Sequence, residues 1–484
     1  MTVTMPRPAL SVRNPRTGLL DAQILPADAA TIDALSSQLR AAQPDWEAIG
    51  PQARDECMRA LADAIERNEA ALLAALAADT GRLALSRMEI GAVCGMLRRW
   101  ADIAPQLMPA GEARRASASP GVELAGRSLP YPLVGAISPW NFPLLLAMID
   151  AVPALAAGCA VIVKPSEVTP RFIAPLRDAI RQVPAIEAVC AVIEGDGATG
   201  AALVGAVDYL CFTGSVATGR KVAETAARSL VPVSLELGGK DPLVVLAGSD
   251  PRTAARIALR ASCANAGQAC QSIEHVIVHR SLEADFLDAL VRGAEEVTLN
   301  VGDIADGTIG PFIHAPQAGI VQAQIDQAVA AGASVLCGGT VEMIGGGHWL
   351  RPTVLTGCTR DMAILREETF GPVMPVTPFD SEDEAAALAN AGDFGLSAAV
   401  IGRDADSALR FARRIEAGAV SIMDAGLTTS VWDAEKSAFG ISGIGPSRMG
   451  PGGLLRFLRR QAFIIQTGTP QPLAAYGENA PPGG

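Results

Sequence analysis

LVGAISPWNFPLLLAMIDAVPALAAGCAVIVKPSE, residues 133–167, decides the fold. Two short runs rich in Val, Ile and Ala, Leu133–Ile137 and Ala160–Val163, read as buried strands. Between them Phe142–Ala157 is apolar except for Asp150. Pro143 stands near its start and Gly158 just past its end, so it reads as a helix. Pro143 to Val163 is as long as a membrane span. Asp150, Pro153 and Gly158 interrupt it, and the flanking turns split it, so it reads as protein core. Two strands joined through a helix pair in parallel, with a right-handed crossover.

Outward from this unit the alternation continues. Towards the C-terminus come a helix Thr169–Gln182, a strand Val189–Ile193, a short helix Ala198–Val204 and a strand Val207–Phe212. A helix Ser215–Ser229 and a strand Val231–Leu235 follow. Repeated units of this kind predict a parallel sheet covered on both faces. A second alternating block opens at Asp241. It holds a strand Pro242–Val245, a helix from Pro251, a strand Ile273–Val278 and further units to about Ile422. A helix-like piece after Leu454 and a strand Ala462–Gln466 close the fold. The tail Thr467–Gly484, rich in Pro, Gly and Ala, reads as loose.

Towards the N-terminus, Gly111, Ser119-Pro120 and Gly121 frame a predicted hairpin over 112–131. Asp28 to Met108 is helical by its apolar spacing (Leu61, Ile65, Leu72, Leu76). Asn14-Pro15 and Thr17-Gly18 turn between two short strands.

Composition sets limits on function. The net charge of -12 argues against a nucleic-acid partner and against an anionic membrane surface. Nine cysteines, an odd number without a CxxC pair, argue against a disulfide framework or a zinc site and fit a reducing compartment such as the cytoplasm. Only His275, His279, His314 and His348 are present, so metal ligation has little to draw on. Met1–Leu20 has no apolar core of a signal peptide.

Five clusters carry chemistry, each near the end of a predicted strand, where ligands sit in open α/β sheets. Ser138-Pro139-Trp140-Asn141 offers the Asn141 amide, which can stabilise an oxyanion or simply cap the next helix. In Val163-Lys164-Pro165-Ser166-Glu167 a Lys164 donor and a Glu167 acceptor suit the two hydroxyls of a ribose, or the stretch forms a solvated turn with a surface ion pair. Gly214-Ser215 opens a helix whose N-terminus attracts phosphate, though two Gly residues five apart are no dinucleotide fingerprint. Glu236-Leu237-Gly238-Gly239-Lys240 follows an apolar strand. Burial favours the protonated form of a carboxylate and suits Glu236 to general-base work, while an ion pair with Lys240 is the structural alternative. Finally Asn265-Ala266-Gly267-Gln268-Ala269-Cys270 places a cysteine in a Gly-containing loop, which suits a nucleophile.

Taken together and in this order, the clusters resemble the aldehyde dehydrogenase superfamily from about Asn14 to Gln466. The most specific matches are Leu235–Lys240 and Gly267–Cys270. Glu367-Glu368-Thr369-Phe370-Gly371-Pro372 and Gly395-Leu396-Ser397-Ala398 agree. The resemblance implies an α/β fold in three parts. These are a Rossmann-like cofactor domain over 1–111 and 132–240, a catalytic domain over 241–440, and a small β oligomerisation arm over 112–131 and 457–466. A homodimer or homotetramer is expected.

The resemblance also implies roles. Cys270 is the nucleophile, Asn141 with the Cys270 N–H the oxyanion hole, and Glu236 the base that hydrolyses the thioester. Lys164 and Glu167 hold the adenosine ribose, Ser215 the pyrophosphate and Glu368 the nicotinamide ribose, with Phe370 near it. Ser138, Pro139, Trp140, Ser166, Gly214, Leu237 and Gly238 complete the cofactor set. The cofactor is NAD, favoured by Glu167 at the 2′-hydroxyl, with NADP the alternative.

Two positions depart from the family pattern. Met423 stands where Asn is usual, and Ser447-Arg448-Met449 replaces a more usual Arg-Glu. Phe142, Ile149, Met423, Leu427 and Trp432 are the expected pocket walls, and no Arg or Lys lies in those stretches. A hydrophobic or aromatic aldehyde is therefore preferred over an acidic semialdehyde. A cofactor-independent thiol esterase and a non-catalytic family member are the rival readings; the first leaves Lys164, Glu167 and Ser215 without purpose, and intact Cys270, Glu236 and Asn141 oppose the second.

Overall fold

The computed structural model describes residues 7–108 and 114–478. The Gly111 turn, the first two residues of the expected hairpin and the end of the tail, 479–484, lie outside them.

The quoted stretch folds as its pattern dictates. Strands Leu133–Ile137 and Ala160–Lys164 pair in parallel, from Leu133 against Ala160 to Ile137 against Lys164. The helix between them spans Pro143–Ala157, and Gly158 ends it at φ 99°. Both strands and nearly all of the helix are buried, which explains their lack of polar alternation.

Six strands form the first sheet, in the order Gly443–Ile444, Val233–Glu236, Tyr209–Thr213, Leu133–Ile137, Ala160–Lys164, Cys190–Val192. All pairs are parallel except the outermost, where Gly443 pairs with Glu236 in antiparallel sense. The order reverses between Leu133–Ile137 and Tyr209–Thr213, opening the crevice at which such sheets take ligands.

The second sheet has seven strands, in the order Ser334–Cys337, Thr353–Thr356, Val373–Phe379, Ile273–His279, Asp241–Val245, Ser397–Ile401, Ala419–Ile422. Only its first strand runs antiparallel. Helices Pro251–Cys263 and Glu283–Glu295 cover it.

The third sheet is an arm. Val122–Pro130 pairs with Leu458–Gln466 along nine residues, from Val122 against Gln466 to Pro130 against Leu458. Arg115–Ala116 adds a short outer strand. The hairpin is thus real but minor, and the main partner of Val122–Pro130 comes from the chain's far end. That last strand starts at Leu458, four residues before the expected Ala462. It reads poorly as a strand because seven of its nine residues are solvent-exposed.

The chain also crosses back. Met449, Leu454 and Phe457 pack into the same core as the first sheet and the N-terminal helices. Helix Ala29–Ala48 begins at Asp28, whose side chain accepts from the Thr31 N–H. Helix Ala84–Leu107 buries Glu89 against the start of helix Pro143–Ala157.

Candidate functional site

Ser138 to Asn141 leave the strand Leu133–Ile137 at the crevice. The Ser138 N–H donates to the Lys164 carbonyl at 3.1 Å, and its buried hydroxyl has no partner among the described residues. Asn141 is buried and does not cap the next helix. The cap position is Phe142, which makes no side-chain cap bond. The helix is capped from outside: the N–H groups of Leu144 and Leu145 both donate to Glu89 Oε2 at 3.0 Å. Arg82 donates to the other carboxylate oxygen.

Relieved of capping, the Asn141 amide faces the cysteine loop. Its Nδ2 donates to the Gln268 carbonyl at 3.1 Å, and Asn265 Nδ2 donates back to the Asn141 carbonyl at 3.1 Å. A primary amide has two N–H groups, so one remains.

The loop that carries Cys270 is tightly wound. Asn265, Ala266 and Gly267 take φ of 55°, 53° and 71° in succession, a left-handed run costly for residues with a Cβ. At Gly267 no other residue fits, because a Cβ would stand 2.2 Å from the Gly371 carbonyl oxygen. Gln268 is fully buried and pins the loop. Its Nε2 donates to the carbonyls of Asn265 and Pro311 at 3.0 and 3.2 Å, and its Oε1 accepts from the Ile313 N–H at 2.8 Å.

Cys270 itself is half-buried. Its N–H makes no main-chain hydrogen bond among the described residues. Burial first, then the carboxylates of Glu368, Asp241 and Glu236, push its thiol up to about 12, with Arg448 acting in the opposite sense.

Glu236 ends the strand Val233–Glu236 and is half-buried. Lys240 does not pair with it. Lys240 Nζ donates instead to Glu274 Oε2 and Thr369 Oγ1, each at 2.9 Å. Glu274 also accepts from the N–H groups of Thr369 and Phe370 at 2.8 and 2.7 Å. It thereby fixes the turn that presents Glu368.

The Glu368 carboxylate lies against Gly238-Gly239. The Gly239 N–H donates to Oε1 at 3.3 Å, and a Cβ on Gly238 would sit 2.7 Å from Oε2. Burial, and then Glu274, push Glu368 up to about 8. Phe370 takes φ 55° and stands edge-on to Trp140, ring centres 5.4 Å apart. Leu237, buried, donates from its N–H to the Ser442 carbonyl at 2.9 Å.

Lys164 Nζ is buried and donates to the Gly195 carbonyl at 2.7 Å and to Glu167 Oε2 at 3.4 Å. Ser166 Oγ accepts from the Val168 N–H at 3.2 Å. After Gly214, Ser215 caps the helix Val216–Arg228, its Oγ accepting from the Thr218 N–H at 3.3 Å.

The expected pocket wall divides. Ile149 and Trp432 line one cavity of about 240 Å³. Phe142, Met423 and Leu427 do not line it. Phe142 lies under the Arg82 guanidinium, 4.5 Å from its ring centre. Met423 takes φ 60°, and its sulfur accepts from the Gly402 N–H at 3.4 Å. Leu427 sits in the turn Leu427–Thr429.

Sequence reading missed Glu89, Gln268, Glu274 and Lys436. Glu274 had a signal, a lone acid inside an apolar strand, and Gln268 lay inside a quoted motif. Lys436 Nζ donates to the Thr428 carbonyl at 2.9 Å. Its Nζ also donates to Gln271 Oε1, beside Cys270, at 3.5 Å; burial lowers its pKa, and the Glu236 carboxylate acts in the opposite sense. Nothing in the local sequence marks Glu89.

A parallel sheet with a ligand crevice, facing a loop that carries a cysteine, is the frame of a cofactor-dependent oxidoreductase. The comparisons narrow the class. The profile of the Aldehyde dehydrogenase family matches residues 4–463, and the chain belongs to that family. It is 34% identical over 464 residues to the 3,6-anhydro-alpha-L-galactose dehydrogenase of Streptomyces coelicolor, covering 94% of this chain and 93% of that one. Its fold is similar to that of PutA from Anabaena variabilis, with TM-score 0.94, 46% identity and coverage of 96% of this chain and 99% of that one. It is similar also to the betaine aldehyde dehydrogenase of Staphylococcus aureus solved with NAD+. There the TM-score is 0.90 and the identity 30%, over 96% of this chain and 93% of that one.

Proposed function

We propose that the protein oxidises an aldehyde to a carboxylic acid with NAD, or NADP as the alternative, through a thioester on Cys270. The observation that carries this reading is the junction of Asn141 with the cysteine loop across two sheets.

The chain's own groups suit the cofactor. Ser138 offers a buried hydroxyl without a partner at the crevice. Lys164 and Glu167 stand together for a ribose, Ser215 heads a helix for phosphate, and Glu368 waits at the second ribose position. Pro139, Trp140, Gly214, Leu237, Gly238 and Phe370 shape the space. When bound, the nicotinamide accepts a hydride from the substrate carbon.

The Cys270 thiol releases its proton to solvent, to be restored at the end of the cycle from Glu236, and the sulfur forms a bond to the aldehyde carbon. The free Asn141 N–H and the Cys270 N–H donate to the oxyanion. Loss of hydride from that carbon leaves a thioester. Glu236 then takes a proton from water as its oxygen attacks the carbonyl. The C–S bond breaks, and Cys270 leaves as thiolate. Water and the oxidised cofactor are consumed, and acid, reduced cofactor and a proton are released. Lys240, occupied by Glu274, leaves the Glu236 carboxylate free for this work.

The apolar walls Ile149 and Trp432 favour a hydrophobic or aromatic aldehyde over an acidic semialdehyde. A homodimer or homotetramer built on the arm fits the family. Nine free cysteines suit the cytoplasm. No described helix is long and apolar enough to cross a membrane.

The test is absorbance of the reduced cofactor with NAD or NADP and a panel that includes benzaldehyde and succinic semialdehyde. Reduction is expected with benzaldehyde and absent in Cys270→Ala. Glu236→Gln is expected to give a single burst without turnover. Full turnover in Glu236→Gln would remove that residue from the role, and a clear preference for succinic semialdehyde would overturn the apolar substrate.

A further inference from the structure

The cavity that holds Ile149 and Trp432 is not purely apolar. Helix Ala84–Leu107 presents Ala92, Met96 and Arg99 along one face, and Arg99 reaches the cavity beside Trp100. Its neighbour Arg98 is bound to Asp63 and Glu66. Arg99 forms no ion pair among the described residues, and its guanidinium lies over the Trp100 ring at 6.0 Å.

Arg448 lines the same cavity. Its Nε and Nη2 donate to Asp150 at 3.1 and 2.9 Å. Arg456 donates to the same carboxylate at 2.6 Å, and its buried Nη1 has no partner. All three residues are buried. Two guanidinium groups therefore share one carboxylate, which leaves one buried positive charge unmatched within the cluster. Buried charge is costly unless paired. The charge of Glu236 also reaches Arg448, which leaves Arg99 as the cavity's guanidinium without a carboxylate partner among the described residues.

We infer that this cavity binds an anionic group at the far end of the substrate, so that the aldehyde is an apolar chain or ring ending in a carboxylate, gripped by Arg99 and Arg448. The inference rests on the proposed thioester chemistry and departs from the purely apolar substrate proposed above. Geometry sets the reach. Ile149 lies six residues past Pro143, about 9 Å along the helix that starts beside Asn141. Trp100, Ile149 and Trp432 flank the apolar middle. An apolar middle of this kind suits a longer apolar spacer than the two carbons of succinic semialdehyde.

The experiment compares nonanal with 9-oxononanoate, whose aldehyde groups have equal intrinsic reactivity. We expect kcat/KM to favour 9-oxononanoate by tenfold or more, and Arg99→Met to shrink that ratio towards one. Fluorescence of Trp100 and Trp432 gives a readout without turnover. Nonanedioate should perturb it at lower concentration than nonanoate, and Arg99→Met should narrow the gap. Oxidation of both aldehydes at similar rates would overturn the inference and leave the thioester chemistry standing. Failure to oxidise either, with nonanedioate still preferred in binding, would overturn the chemistry and retain the anion site. No preference in either readout would sink the anion site.

Discussion

The thiol of Cys270 is held in its protonated form by burial and by three carboxylates. Only the thiolate is nucleophilic. Alkylation of Cys270 by iodoacetamide in the cofactor-free protein should therefore rise about tenfold per pH unit from pH 7 to 9. A plateau near pH 8 would contradict the buried, carboxylate-ringed setting. Glu368 makes an opposite kind of prediction, on stability. Its folded value of about 8 lies above the ordinary 4.5, so the folded protein holds this proton more tightly than the unfolded chain. The stabilisation is complete below pH 4.5 and is lost as pH rises towards 8. The melting temperature should fall over that window, and Glu368→Gln should flatten the fall. An unchanged slope in the variant would assign the loss elsewhere.

At the level of elements, the start of helix Pro143–Ala157 controls where Asn141 points. A carboxylate from another helix binds its first N–H groups, and that carboxylate is in turn paired with buried Arg82. Glu89→Gln keeps the shape but leaves the Arg82 charge unmatched. Breaking one side of a buried pair costs about 3–5 kcal/mol, to be read in urea unfolding; a loss below about 1 kcal/mol would show that the pair is not stabilising. The same interaction shows what sequence can and cannot reveal. Strand ends, the helix start at Ser215 and the Gly-containing loop before Cys270 were legible, because each follows from a local rule about apolar runs, helix starts or glycine. Glu89 was invisible because its partners lie 55 and 56 residues away. Met423 shows another side of this, since nothing in the sequence announces its backbone. Expected as a pocket wall from its place in the family pattern, it takes a left-handed backbone, and its sulfur accepts from the Gly402 N–H.

For the whole molecule, the arm exposes Phe463 and Ile464, at 43% and 75% of their surface. Apolar side chains displayed on a long two-stranded ribbon suit burial against a second copy. Light scattering should give a mass that is a multiple of 49.9 kDa, and Ile464→Arg should lower that multiple. A monomeric parent protein would remove the arm from assembly. The cavity's mixed character also belongs to this scale. Its arginines come from positions 99 and 448, far from the apolar stretches that marked its walls, so a sequence window centred on those walls saw only half of it.

The crossing-back of the C-terminal segment has a consequence for biogenesis. The strand ending at Glu236 gains its outer neighbour only when Gly443 and Ile444 arrive, about 200 residues later. At roughly 5–20 residues per second of synthesis, the nascent chain spends about 10–40 s with that edge bare and with the places of Leu454 and Phe457 in the first core unfilled. During that interval the ribosome-bound chain carries an open strand edge, a template for misassociation between neighbouring chains on one message.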